Sequence, residues 1–561
     1  MKAEKTAKGN TENVGKFLVL PIIVLIMAQM GTSGDNGALS IANTELVNIL
    51  GATVPDIQLA NMVYSLMAGA LMIAGGLLGT IIGWKKNFRI GALLCAAGEI
   101  VMALSPSMTV FIWGGRVLVG FGASFMIPSV LGLIPKIYQG KNRVLAFGCI
   151  GAASGLSAFL PLFLGILMQT SGFRITYAVL GCYFLVVLAL SLKLPPIVEE
   201  SVKPKFDGIG TGLAAVGLFL FLIGLSRISA WGLIEPFAGC PFTIFGISPA
   251  VPMAVLGLVV LVVLVFVEKK IEAKNGSALL PQSFLKTPQV IAGLVASAIA
   301  FFFMGIQTIL LSPYLMLVAQ WSAVTMGAMS LVVGIPTFLF SMGIPRFLPN
   351  ANPKTVIRVG YLVMAGSLML MYTSLSKESV GIGMYAGFLF AGVGVGIVSS
   401  HANNVVALAL NERDASQSGG IQTTMRNVGQ AIGVAAIGAV LLFGITSNIS
   451  SSMNDSPLLT DDIRQAVSQK SITLMSDESF EKTIADIPMN PEQKDELMAL
   501  NADARIDSTK TAFLVSAILV LLGIFTTHMI TIARKEDGLP ASKDKPQNPV
   551  IETKPLSEGS N

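Results

Sequence analysis

Few side chains in this sequence could bind a proton or an ion from within an apolar stretch. Of its 561 residues, 53% are hydrophobic and 12% are charged, and there are two histidines. Asp35, Glu99, Arg116 and Arg426 fall inside long apolar runs, where an ionisable group is costly and is a functional hypothesis by default. Asp35 lies roughly 18 residues into its run, about 27 Å along a helix. Gly31, Ser33, Gly34 and Gly37 could loosen that helix and admit water. Asp35 then reads as a carboxylate that exchanges a proton, or as an interfacial Asp at a helix end. Glu99 reads as a proton site or partner to a polar neighbour, or as a boundary residue that snorkels. Arg116 calls for a carboxylate or carbonyl partner. Arg426 suits an anionic group or backbone carbonyls.

Other residues suggest binding or movement. Gln307 follows Phe301, Phe302, Phe303 and Met304 and lies four residues after Phe303, on the same helical face. That arrangement suggests an apolar pocket with a polar handle, the alternative being lipid-facing packing. Asn403 and Asn404 make a polar patch with His401, either a proton shuttle or a satisfied buried histidine. Gly148, Gly151 and Gly155, and again Gly429 and Gly433, recur at helical spacing and would let membrane helices approach closely.

Several functions are excluded. No Gly-x-x-x-x-Gly-Lys-(Ser/Thr) loop is present, so an ATP-driven pump is not expected. Cys95, Cys149 and Cys182 sit in apolar runs and Cys240 stands alone, which gives neither a disulfide framework nor metal-ligand spacing. The chain is expected not to be an enzyme and to need no metal or cofactor, its energy coming from a proton gradient. The net charge of +5 is distributed by membrane side and does not suggest nucleic-acid binding.

The elements that must position these residues are apolar runs of about 20 residues without strict alternation, which select helices over a barrel. Fourteen spans are expected, at 17–43, 57–82, 88–105, 109–134, 143–168, 174–194, 208–228, 248–268, 289–318, 323–345, 355–375, 380–410, 415–446 and 511–533. With the N-terminus inside, the inner segments hold most of the 37 Lys and Arg, so both termini are expected in the cytoplasm. The first apolar run lacks a small-residue cleavage signature and reads as a span, not a removed signal.

Echoes relate the first six spans to the last six. Arg89-Ile90-Gly91 matches Arg358-Val359-Gly360, Gly120-Phe121-Gly122 matches Gly392-Val393-Gly394, and Asn142-Arg143 matches Glu412-Arg413. Such parallel repeats are a transporter signature, with the substrate between the halves. The expected organisation is a cytoplasmic tail (1–16), a six-helix bundle (17–194), a linker with two extra helices (195–288), a second six-helix bundle (289–533) and a disordered tail (534–561). The second bundle would include an extracytoplasmic helical loop (447–510), where Asn490-Pro491-Glu492, Thr460-Asp461-Asp462 and Ser476-Asp477-Glu478 read as helix starts. That loop is a solvated cap, or a docking surface for a partner such as a periplasmic adaptor.

On these residues the chain resembles the major facilitator superfamily, in its 14-helix drug:proton antiporter branch. The family's loop motif aligns with Gly76 to Lys86, retaining Gly76, Gly83, Lys85 and Lys86 but replacing the usual Asp by Thr80 and the first basic residue by Ile81. The fourth-helix motif aligns with Arg116 to Ala123, lacking only its Gln. Met425 to Ala435 and Leu280 to Leu285 also resemble the branch, and Gly34 to Ala42 aligns loosely with its first-helix motif. The fifth-helix antiporter motif is degenerate, reading Gly148, Gly151, Gly155 and then Leu160-Pro161-Leu162-Phe163-Leu164-Gly165.

The resemblance implies an all-α polytopic protein of two six-helix bundles plus two central helices, in the inner membrane. It implies secondary export of amphipathic drugs or toxic compounds in exchange for protons. On the residues themselves, Asp35 and Arg116 would couple the proton, with Glu99, where the family does not usually carry a carboxylate, as a further proton site; Phe303, Met304, Gln307, Asn403 and Arg426 would bind the small-molecule substrate. Gly76, Gly83, Lys85, Lys86, Gly148, Gly155, Pro161, Gly429 and Gly433 would serve gating. A metabolite or organic-anion uniporter or symporter of the same fold, and a non-transporting sensor or scaffold, are the alternatives.

Overall fold

The computed structural model describes residues 17–531 apart from 53, 198–206, 238–239, 276–277, 312, 322, 376–380, 411, 469–473 and 475–476. The two expected tails and part of the polar linker therefore lie outside the described residues. Each long apolar run folds as helix, because a chain in a bilayer must satisfy its own backbone.

The first half comprises α1 (Val19–Leu50), α2 (Val54–Ile82), α3 (Trp84–Leu104), α4 (Val117–Ile137), α5 (Gly140–Leu156) and α6 (Leu160–Ser191). A central pair follows, α7 (Gly208–Trp231) and α8 (Ala250–Asn275), then a short α9 (Gln282–Lys286). The second half holds α10 (Pro288–Ile306), α11 (Ala323–Phe347), α12 (Pro353–Thr373), α13 (Ile382–Leu408), α14 (Glu412–Asp455), α15 (Asp461–Ser468), α16 (Asp477–Ile484) and α17 (Pro491–Thr526).

Among the described residues, twelve helices are long and apolar enough to cross a membrane. Two places account for the difference from fourteen. The apolar part of α1 is shorter, Val19–Asp35. The expected fifth span divides between α5 and the first part of α6, whose second part carries the sixth, and α6 is broken at Gly172, where φ is 78°. Only glycine adopts that backbone freely. A count of fourteen thus adds α1 and a crossing made of α5 with the first part of α6.

One buried apolar core joins α1 to α6 and includes Phe88, Phe111, Phe147 and Phe184. A second joins α10 to α17 and includes Phe303, Tyr361, Phe388 and Phe513. The central pair, α7 against α8, rests on α2 and α14 through Leu66, Leu222, Leu264 and Ile421. The outer surface of α8 exposes Val255, Leu256, Val259, Val262 and Phe266, a face that only lipid could cover.

The halves meet where glycines remove side chains. A Cβ on Gly76 of α2 would lie 3.1 Å from Gly420 Cα of α14, and one on Gly419 would lie 2.6 Å from Pro128 O of α4. Ser341 Oγ of α11 donates to Gly148 O of α5 at 3.0 Å. Among the described residues, α1 packs on α5 and α6, and α10 on α13, α14 and α17, while α1 and α10 share no extended contact.

The 447–510 region is helical, with helices starting at Asp461, Asp477 and Pro491. α14 runs on to Asp455, and α17 begins at Pro491, well before the expected span at 511. Asn490 closes a capping box with Gln493 there, satisfying the first turn without any apolar requirement. Ile463, Val467, Phe480, Ile484 and Leu497 are buried in the same core as α12 and α13.

Candidate functional site

α4 is entered through a π-helical turn, Val110–Arg116, a feature that often marks functional positions because it offsets the helix register. Its last residue, Arg116, is fully buried. Arg116 Nη1 donates to both carboxylate oxygens of Asp35 at 2.6 Å, and Nε donates to Ala60 O at 3.1 Å. The guanidinium also lies 4.7 Å from the Tyr64 ring centroid. The cation is thus held by α1 and α2 together.

Glu99 of α3 is also 0% exposed, which rules out a snorkelling boundary role. Its carboxyl adjoins that of Asp35, yet neither oxygen has a hydrogen-bond donor of good geometry. Both groups accept when ionised, so a hydrogen bond between them needs a proton on one. Two carboxyls therefore stand by one guanidinium, and one negative charge would be left over only if both were ionised. Tyr177 of α6 completes the chamber; its hydroxyl is buried without a partner and its ring packs edge-on to Phe111. Neither Tyr64 nor Tyr177 was singled out by sequence reasoning, since a tyrosine in an apolar run reads as core. The available signal was that a buried phenol seeks a polar partner.

A second polar group lies in the other half. Arg426 of α14 donates through Nη2 to Asn403 Oδ1 of α13 at 2.8 Å, and its guanidinium sits 5.3 Å from the Phe301 ring centroid of α10. Gln307 is partly buried and its Nε2 has no partner. Met304 is partly buried, but Phe303 is fully buried in the core and lines no opening. The helix turns π at Gln307, and Phe301, rather than Phe303, stands beside the polar group. His401 is buried and shares a 2.8 Å hydrogen bond with Ser400.

The expected gating residues divide. Gly76, Gly148 and Gly155 stand between the halves, Gly155 facing Phe338 N of α11, while Gly429 and Gly433 pack α14 on α10 within one half. Gly83, with φ 98°, makes the turn into α3. Lys85 Nζ donates to Leu194 O at the end of α6, and Lys86 is exposed. Thr80, where the motif has its carboxylate, donates to Leu77 O of its own helix. Pro161 is in the first turn of α6, and its side chain lies outside the described residues. Among the described residues, no group of three His, Cys, Asp or Glu could hold a metal ion.

A family model, Major Facilitator Superfamily, matches residues 25–434. The probable actinorhodin transporter of Streptomyces coelicolor is 25% identical over 448 residues, 77% of this chain and 74% of that one. The puromycin resistance protein pur8 of Streptomyces alboniger is 26% identical over 456 residues, 79% and 85% of the two chains. The crystal structure of the human organic anion transporter MFSD10 (TETRAN) superposes with a TM-score of 0.56, covering 91% of this chain and 98% of that one at 12% identity. At that identity the likeness shows the fold alone.

Proposed function

The chain belongs to the Major Facilitator Superfamily, a family of membrane transporters and not enzymes, and on that premise we propose that it exports amphipathic small molecules in exchange for protons. The observation that carries this reading is the buried chamber of Asp35, Glu99 and Arg116, with two carboxyls to one cation. A proton bound there neutralises the excess charge, and its release would leave a buried negative charge without a partner. A site of that kind favours a conformational change on each protonation, since an uncompensated buried charge is costly.

Efflux is supported by relatives named for antibiotic export and resistance, at low identity. The halves meet near the Gly83 to Lys86 turn. If that turn is cytoplasmic, as the charge distribution implies, the contact between the halves closes the inner side. The protein would then reside in the cytoplasmic membrane with both termini inside.

The test is reconstitution in proteoliposomes with a panel of fluorescent amphipathic dyes, with and without an imposed pH gradient. Gradient-driven dye movement and counter-movement of protons are expected, and Glu99→Gln should uncouple the two while substrate still binds. Transport indifferent to the gradient in the wild-type protein would instead favour uniport by the same fold.

A further inference from the structure

Among the described residues three arginines are buried, Arg116, Arg426 and Arg505, and Arg505 and Arg116 each pair with an aspartate whereas Arg426 does not. Arg116 has a carboxylate on two of its bonds. Arg426 is 7% exposed, and its neighbours are an amide oxygen and a phenyl ring. No acidic side chain among the described residues pairs with it. A guanidinium carries five donors in a planar fork, and Asn403 uses one of them.

The unmatched charges of the halves are therefore opposite. The first half has one carboxyl in excess at Glu99; the second has one cation in excess at Arg426. Other polar groups of the same half also lack partners. Gln422, one turn before Arg426 on α14, has a buried Oε1 without a partner, as does Asn404 Oδ1 on α13. Gln307 Nε2 on α10 is likewise free of partners. Met304, three residues after Phe301 on α10, is its neighbour on the helix surface.

Resting on the exporter reading above, we infer that Arg426 is the anchor of the substrate site and that the substrate is an aromatic anion. A carboxylate or phenolate would take the free edge of the guanidinium, and its ring would pack beside Phe301. Planar, bidentate recognition of a carboxylate is what arginine does best. A cationic substrate would be repelled by the same residue. The amphipathic class proposed above thus narrows to its acidic members.

Binding is measured on the purified full-length protein with three planar probes of one size: anthraquinone-2-carboxylate, its carboxamide, and the corresponding aminomethyl cation. The carboxylate is expected to bind about tenfold or more tighter than the other two, equivalent to about 1.4 kcal/mol or more. Arg426→Gln should erase that preference, and Arg426→Lys should keep the order carboxylate over cation with weaker binding. A thermal melt of each variant, unchanged within a few degrees, confirms that the fold is intact. Absence of carboxylate binding, equal binding of the three, best binding of the cation, or a preference that survives Arg426→Gln would each overturn the inference. Because binding needs no gradient, loss of proton coupling in proteoliposomes would sink the exporter reading alone.

Discussion

Asp35 and Glu99 share a single guanidinium, so removing one charge at a time has unequal effects. Arg116→Leu leaves two buried carboxyls without a cation and should destabilise the protein by about 3–5 kcal/mol, the usual result of orphaning a buried ion-pair partner. Asp35→Asn should cost less, because Glu99 remains beside Arg116 to replace the lost charge. Thermal melts in detergent compare the two, and an Arg116→Leu melt equal to wild type would refute a structural role for the pair. Asp35, Glu99 and Arg116 were legible one by one, since each is an ionisable type in an apolar run. Their meeting was not, because it depends on how α1, α3 and α4 rotate about their axes. Phe303 illustrates the same limit. Its four-residue spacing from Gln307 is correct for an α-helix, but packing against the second-half core buries Phe303 completely.

Among the elements, α5 against α11 is the surface on which the halves would move. Gly155 lies against the α11 backbone, whereas Gly366 of α12 has open space where a Cβ would be. Gly155→Leu should therefore abolish transport and lower the melting temperature, while Gly366→Leu should transport at close to the wild-type rate; equal behaviour of the two would show that the approach does not matter. The α2–α14 contact offers a second check. Gly76→Cys with Gly420→Cys should form a cross-link that stops dye movement until a reductant is added. Free transport through the cross-linked protein would mean that these helices need not separate. The small-residue spacing predicted close helix approach, but which glycines separate halves and which pack within one, as Gly429 and Gly433 do, follows only from the partners they meet.

For the whole molecule, charge movement distinguishes the proposed cycle. Each elementary charge crossing the membrane gains about 2.3 kcal/mol per 100 mV. Export of a monoanion against one proton moves two charges in the favourable sense, and export of a neutral molecule moves one. Clamping the potential to zero with potassium and valinomycin, at a fixed pH gradient, should therefore slow the anthraquinone carboxylate more than its carboxamide; identical slowing would exclude that stoichiometry. At this scale the composition alone determined a helical membrane protein, because a bilayer leaves a long apolar chain no other way to satisfy its backbone than helix or closed barrel, and the pattern lacks the alternation of a barrel. The order of echoed motifs likewise indicated paired halves, because repeats leave marks along the chain. Only the tertiary structure decided that the two halves carry opposite unmatched charges. Charge balance inside a membrane is a matter of which side chains face one another across several helices, and residues 81 positions apart, such as Asp35 and Arg116, become neighbours only when those helices pack.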